Sequence, residues 1–382
     1  MSAADYQHNP NYVASQQMPD DLQDLAYEVF SVPSTNHNEA SMILWLSRVL
    51  DDLQVEYYID DYGNMLVAKG AEGAGNYPCF CAHLDTVHMY PNGFNVNCDL
   101  VEGRDYLYAV DDANKRVGVG GDDKCGIFAC VHLLTKLERV KVVFFSQEES
   151  GGTGSSNVDM DFFKDCKFFA GIDRWNGHDV INNYGGSFTT SKAFRKATTE
   201  IFKTYDYKGN SGFFTDVFNV QERGVGISCM NLSCGYYCHH TEKEYVDLNE
   251  LYHCCLLCEE LAALPGTYYF TPPPLQYKKG SWKGSTYNKH TNRWDPYDDD
   301  DDCSYYKYLS KAEDRHAWWS SSKDTPAIKP IPTTTLYSTE SFVKCDQCGI
   351  ELLSWEIRQY KNLCYTCHSM KREVDISPEE LI

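Results

Sequence analysis

The sequence predicts an α/β protein: a three-layer α/β/α sandwich on a mostly parallel mixed sheet, followed by a small cysteine-held module at the C-terminus. Three observations predict it. Between residues 20 and 268, short apolar runs rich in β-branched and aromatic residues alternate with amphipathic stretches, the pattern of strands buried beneath helices. Beyond residue 268 this periodicity collapses. Four of the 17 cysteines, Cys345, Cys348, Cys364 and Cys367, then stand as C-x2-C, fifteen residues, C-x2-C.

Taken in chain order, residues 1–19 are polar and unpatterned, a flexible N-terminal arm. Residues 42–53 set Met42, Leu46, Val49 and Leu53 at helical spacing, with Asn36 and Glu39 spaced as a capping box. Buried strands are expected at 64–68, after the turn 60–63, and at 77–82, 141–146, 167–172 and 225–230. Helices are expected at 125–137, around 191–204, and at 248–263, where Asp247 and Glu250 again have capping-box spacing. Residues 269–340, with Pro272-Pro273-Pro274 and the acidic run 298–302, show no face able to bury itself and predict a disordered acidic, Pro-rich linker. The module follows at 341–370 and a tail at 371–382.

Composition bounds the function. With 42% hydrophobic and 23% charged residues the 382-residue chain can bury a sizeable core. A net charge of −21 disfavours binding to nucleic acid or to an anionic membrane. No apolar run approaches the roughly 20 residues of a membrane span, and the first 21 residues lack the basic and apolar regions of a secretory signal. A cytoplasmic protein is expected. Cysteines set in apolar segments, as in Cys79-Phe80-Cys81, suit reduced, buried thiols.

Metal-type side chains end one predicted strand after another: His83 and Asp85, Asp122, the pair Glu148-Glu149, Asp173, and then His240. Ligands of open α/β sheets sit beyond the carboxyl ends of the strands, so these groups converge on one edge. Five N/O donors suffice for two divalent ions if one carboxylate is shared, and the mixture suits zinc, or cobalt or manganese, rather than calcium. Any one of these residues alone is more often a surface or cap residue. Asp123 is better suited to capping the helix that begins beside it.

The motifs AHLDTV, GGDDKCG, FFSQEESGGTGS, GID and HHTEKEYV, in that order, with FSVPSTNHNEASM and DDYGNMLV ahead of them, resemble the co-catalytic two-zinc exopeptidases: peptidase T, carboxypeptidase G and related zinc aminopeptidases. The resemblance covers about residues 22–265. It implies that His83 and Asp173 hold one metal, Glu149 and His240 the other, and that Asp122 bridges them. Asp85 would orient the His83 imidazole. Glu148 would be the general base and acid, and adjacent side chains in a strand or tight turn point apart, so Glu148 and Glu149 can do different work. The H-T-x-x-E spacing selects His240 over His239. His88, His178 and His253 are treated as structural, and Thr215-Asp216 as a possible lining of the site. Enzymes like peptidase T carry a separate lid domain between the last Asp ligand and the final His. Only 66 residues separate Asp173 from His240, too few for one, so little remains to clamp a substrate's far carboxylate.

The four C-terminal cysteines fit a closed, tetrahedral, structural zinc site, a zinc ribbon whose short segment depends on the metal to fold. Lys344, Arg358, Lys361, Trp355, Tyr360 and Tyr365 give it a surface suited to a protein partner first and nucleic acid second. The whole predicts a two-zinc metallopeptidase acting on short peptides, an aminopeptidase or di/tripeptidase, with three zinc ions counting the ribbon. The alternatives are an N-acyl amino-acid deacylase and a non-catalytic zinc-binding adaptor.

Overall fold

The computed structural model describes residues 16–70, 76–90, 93–184, 187–212 and 215–271, together with 287–288, 293–294 and Asp346. The chain divides into two units, residues 1–303 and 304–382. The four ribbon cysteines, residues 1–15 of the arm, almost all of the linker and the tail lie outside the described residues.

The described part of the first unit runs α1 (Asp20–Ser31), α2 (Ala40–Asp52), β1 (Tyr57–Ile59), β2 (Met65–Lys69), β3 (Tyr77–His83), β4 (Asn95–Val101), β5 (Arg104–Val110), β6 (Arg116–Val117), α3 (Gly121–Lys136) and β7 (Val140–Phe145). It continues with α4 (Thr153–Asn157), β8 (Cys166–Arg174), β9 (Asp179–Tyr184), β10 (Ser187–Phe188), α5 (Lys192–Thr204), β11 (Lys208–Ser211), α6 (Asp216–Glu222), β12 (Cys229–Ser233), β13 (Tyr236–Tyr237), β14 (Tyr245–Asp247) and α7 (Leu248–Ala262).

Nine strands form one mixed sheet in the order β1-β2-β7-β3-β8-β12-β9-β10, with β11 beside β9. Its centre, β7-β3-β8-β12, is parallel, so the carboxyl ends of four strands share one edge. Alternation along these strands makes the layers. Cys79, Cys81, Val143, Phe145 and Phe169 face Val217 and Val220 of α6 on one side. Phe80 and Phe168 meet edge to face on the other and continue to Phe194 of α5. There α3 lies against β3, β8 and α7. Phe80 and Phe168 are fully buried, and truncating either to alanine in such a core costs about 3–5 kcal/mol. The α/β architecture with its mostly parallel mixed sheet is therefore the one the periodicity predicts.

Several local expectations need correction. The helix start at Asn36–Glu39 is not a capping box: α2 has Glu39 at its N-cap with no side-chain cap bond, and Asn36 Nδ2 donates to Ser150 Oγ at 2.6 Å instead. The strand expected at 225–230 lies later, at Cys229–Ser233, because its pairing with β8 and β9 outweighs the local apolar run. Helix α1 and an antiparallel sheet of five strands, β13-β14-β5-β4 with β6 beside β5, were not anticipated. Their strands are short or half-exposed, so they lack the continuous apolar runs of the central sheet. Eleven cysteines among the described residues are free thiols, as expected of cysteines set in apolar segments, whereas Cys238 takes part in a disulfide. No helix among the described residues is long and apolar enough to cross a membrane.

Candidate metal centre

His83 is the last residue of β3, Asp173 the next to last of β8, and the Glu148-Glu149 turn follows β7. Parallel pairing of these strands places all four at one edge. Asp122 arrives from the loop that opens α3. There Gly120 sits at φ 74°, a left-handed conformation that glycine takes at no steric cost. Asp123 turns inward and caps the helix, its Oδ1 accepting the Gly126 N–H at 2.9 Å. The two successive aspartates thus have separate tasks.

Two triads result. His83, Asp122 and Asp173 offer donor atoms all within 4.8 Å of one another, and so do Asp122, Glu149 and His240. Asp122 belongs to both: Oδ1 lies 2.9 Å from His83 Nε2 and Oδ2 lies 3.3 Å from His240 Nε2. Glu149 Oε1 is 2.9 Å from His240 Nε2, and Asp173 Oδ1 is 3.7 Å from His83 Nε2.

Asp85, fully buried, works on two neighbours. Its carboxylate is 3.4 Å from His83 Nδ1, and the same ring nitrogen lies 2.9 Å from the Asp85 carbonyl oxygen. The carboxylate also accepts the Glu148 N–H at 2.9 Å and the Glu149 N–H at 3.2 Å. One residue therefore orients a ring and fixes the turn carrying two acids. Asn64, also fully buried, braces that turn from below: Oδ1 accepts the Ser146 N–H and Nδ2 donates to the Gly154 carbonyl. Ser34 Oγ donates to the Leu84 carbonyl at 2.6 Å and holds the segment after His83. These bonds give the opening FSVPST and DDYGN segments a physical purpose.

Two positioning groups have roles that sequence reasoning did not assign. Glu244, fully buried, accepts the Gly120 N–H at 2.6 Å, the Asp122 N–H at 3.2 Å and His88 Nε2 at 2.8 Å, which ties the His240 loop to the Asp122 loop. Its place at the end of H-T-x-x-E was the available signal. Asn231 grips the Asp173 backbone from β12, accepting its N–H at 3.0 Å and donating to its carbonyl at 2.6 Å. Asp216 is buried against Ser155 with Oδ1 unpartnered, and burial lifts its pKa to about 8. His239 is half-buried between Trp175 and Tyr236. His253 bonds the Tyr205 carbonyl, and His178 packs on Tyr207 and His253.

Electrostatics show what the cluster lacks. Burial works against a charged His83, yet Asp122, Asp173 and Asp85 outweigh it and hold the ring's pKa well above its ordinary value. His240 is pushed up to about 11 in the same way, burial opposing and Asp122 and Glu149 prevailing. Burial, and then the Asp122 charge, lift Asp173 to about 6. Burial raises Glu149 and raises Glu148 well above the carboxylate range. Two imidazoles are too few for this many carboxylates. The donor set fits a pair of divalent cations sharing Asp122: imidazole and carboxylate donors, closely grouped, running from buried His83 and Asp122 out to exposed His240, with excess negative charge.

No protein-family model matches the sequence, and no curated protein matches it. Solved structures do. Aminopeptidase PepT from Bacillus cereus aligns with a TM-score of 0.53 at 15% identity, over 63% of this chain and 97% of that one. A tripeptidase from Staphylococcus aureus aligns with a TM-score of 0.52 at 14% identity, over 63% of this chain and 96% of that one. The chain has the fold of these peptidases. The described residues between Asp173 and His240 belong largely to β9–β13, α5 and α6, and β9–β12 extend the main sheet itself.

Proposed function

We propose that this chain is a zinc-dependent metallopeptidase, an aminopeptidase or di/tripeptidase, whose catalytic domain spans residues 20–268. The observation that carries the proposal is the pair of triads sharing Asp122, with Glu148 beside them. In this reading His83, Asp122 and Asp173 hold one ion and Asp122, Glu149 and His240 the second. When bound, the ions supply Lewis-acid polarisation of the scissile carbonyl and acidification of the attacking water.

The chain's own residues do the rest. Glu148, held in place by the Asp85 bond to its N–H, takes the water proton and returns it to the leaving amine. No covalent acyl-enzyme is needed. Asp85 keeps His83 in the ring orientation that presents Nε2 to the centre. Acidic side chains around the centre hold a free α-ammonium group. The ribbon at 341–370, with Cys345, Cys348, Cys364 and Cys367 on one structural zinc, is proposed as a protein-docking module tethered by residues 269–340.

A panel of free-amino peptides, N-acetylated peptides and acyl amino acids, offered to zinc-loaded protein, tests the reading. A charge-assisted hydrogen bond is worth about 1.5–3 kcal/mol, so acetylating the amine is expected to lower kcat/KM at least tenfold. Better cleavage of acylated substrates would replace the aminopeptidase by an N-acyl amino-acid deacylase. No cleavage of any substrate would leave a zinc-binding adaptor.

A further inference from the structure

Arg174 follows Asp173 directly at the carboxyl end of β8. Four other arginines reach acceptors through their terminal nitrogens: Arg104 pairs with Asp247 and Glu250, Arg116 donates to the Lys243 and Glu244 carbonyls, Arg195 to the Thr190 carbonyl, and Arg223 to the Ser155 carbonyl, although Nε of Arg104 and of Arg116 is buried without an acceptor. Among the described residues the Arg174 guanidinium has no hydrogen bond or ion pair, and its Nε is buried without an acceptor. The guanidinium stacks instead, with Cζ 4.4 Å from the centre of the Trp175 ring. A half-buried guanidinium left without an anion is costly, the more so in a chain of net charge −21 that offers carboxylates freely.

The position connects it to the metal centre. The Trp175 ring lies nearly parallel to His239 at 6.3 Å, and His239 meets His240 edge to face at 5.0 Å. His239 Nδ1 is likewise buried and unpartnered. At about 3.3–3.6 Å per extended residue, the guanidinium is no farther from the His240 ring than about five residues of peptide. The fork of an arginine matches a carboxylate, and a ring beneath it fixes its plane.

We propose that Arg174, seated on Trp175 and assisted by His239, is a subsite for a carboxylate of the substrate, which directs the enzyme to short peptides of about two to five residues. This rests on the peptidase reading and deepens it. It also supplies the clamp for the far carboxylate that the sequence alone did not reveal.

The test uses full-length, zinc-loaded protein and four substrates: Leu-Gly-Gly, its C-terminal amide, Leu-Gly-Glu amide, and leucine p-nitroanilide. KM for the Leu-Gly-Gly amide is expected to exceed that for the free acid at least tenfold with kcat little changed. Arg174→Gln should erase the difference by raising KM for the acid, while cleavage of the anilide, which has no carboxylate, stays the same. Arg174→Lys, which keeps the charge but not the fork, should fall between. Recovery of low KM with Leu-Gly-Glu amide would assign the subsite to a side-chain carboxylate, and recovery only with the free acid to the C-terminus. Equal KM for acid and amide in the wild type, or a preference that survives Arg174→Gln, overturns the proposal. Should nothing be hydrolysed, the peptidase reading fails, and calorimetric binding of Leu-Gly-Gly against its amide decides the subsite separately: a tenfold preference lost in Arg174→Gln supports it, and equal binding refutes it.

Discussion

Two groups of buried acids in this molecule are neutralised in opposite ways. Beside the five-stranded sheet, Asp247 and Glu250 at the start of α7 face Arg104, which reaches them at 2.7 and 2.8 Å. Tyr237 donates to Glu250, and Asp247 Oδ1 accepts the N–H groups of Asn249 and Glu250. Burial, and then the charge of Glu250, still push Asp247 up to about 7, but every acid there has partners of its own chain. At the carboxyl edge of the nine-stranded sheet, Asp122, Asp173, Glu148, Glu149 and Asp216 gather around two histidines, and their charges oppose one another. The first group closes on itself and holds the fold together. The second has too few cationic partners of its own chain and forms two candidate metal-binding groups, and in the proposed reading that difference separates a structural cluster from a chemical one.

The largest expected effect lies in the open group. Glu148→Gln should lower kcat by about 10²–10⁴ while metal content stays the same, because the amide cannot accept a proton yet is not asked to hold an ion. Glu149→Gln should instead weaken metal binding, since Glu149 sits 2.9 Å from His240 in the second triad. Equal loss of metal in both variants, read by elemental analysis beside steady-state rates, would undo the division of labour.

The closed group should respond in stability and not in chemistry. Arg104→Met leaves Asp247 and Glu250 buried together without their cation. Breaking a fully buried pair costs about 3–5 kcal/mol, but the Arg104 side chain is 38% exposed, so solvent screening reduces the expected loss to about 1–3 kcal/mol. Urea unfolding measures it. A change in metal content or kcat in this variant would mean that the two groups are coupled.

The same contrast explains how much was legible in sequence. The central strands and the residues at their ends could be read because a parallel sheet demands continuous apolar runs and puts its ligands at one edge. His83, Asp122, Glu149, Asp173 and His240 come from five separate segments, and the structure brings them together. The five-stranded sheet escaped because β4 is half-exposed along its length and β13 and β14 have two and three residues. Glu244 and Asn231 escaped for another reason: each acts through backbone groups of a distant segment, and although H-T-x-x-E singles out Glu244, it does not show which N–H groups that carboxylate meets. Arg174 was hidden because its signal is the lack of a partner, which only three-dimensional packing reveals.

The metal content of three proteins tests the central claim, that Asp122 joins two cation sites at this edge. The wild type should hold up to three zinc equivalents, deletion of residues 335–382 should leave two with hydrolysis largely intact, and Asp122→Asn should leave one, because the shared carboxylate faces both triads. Retention of all three equivalents by Asp122→Asn would contradict the account.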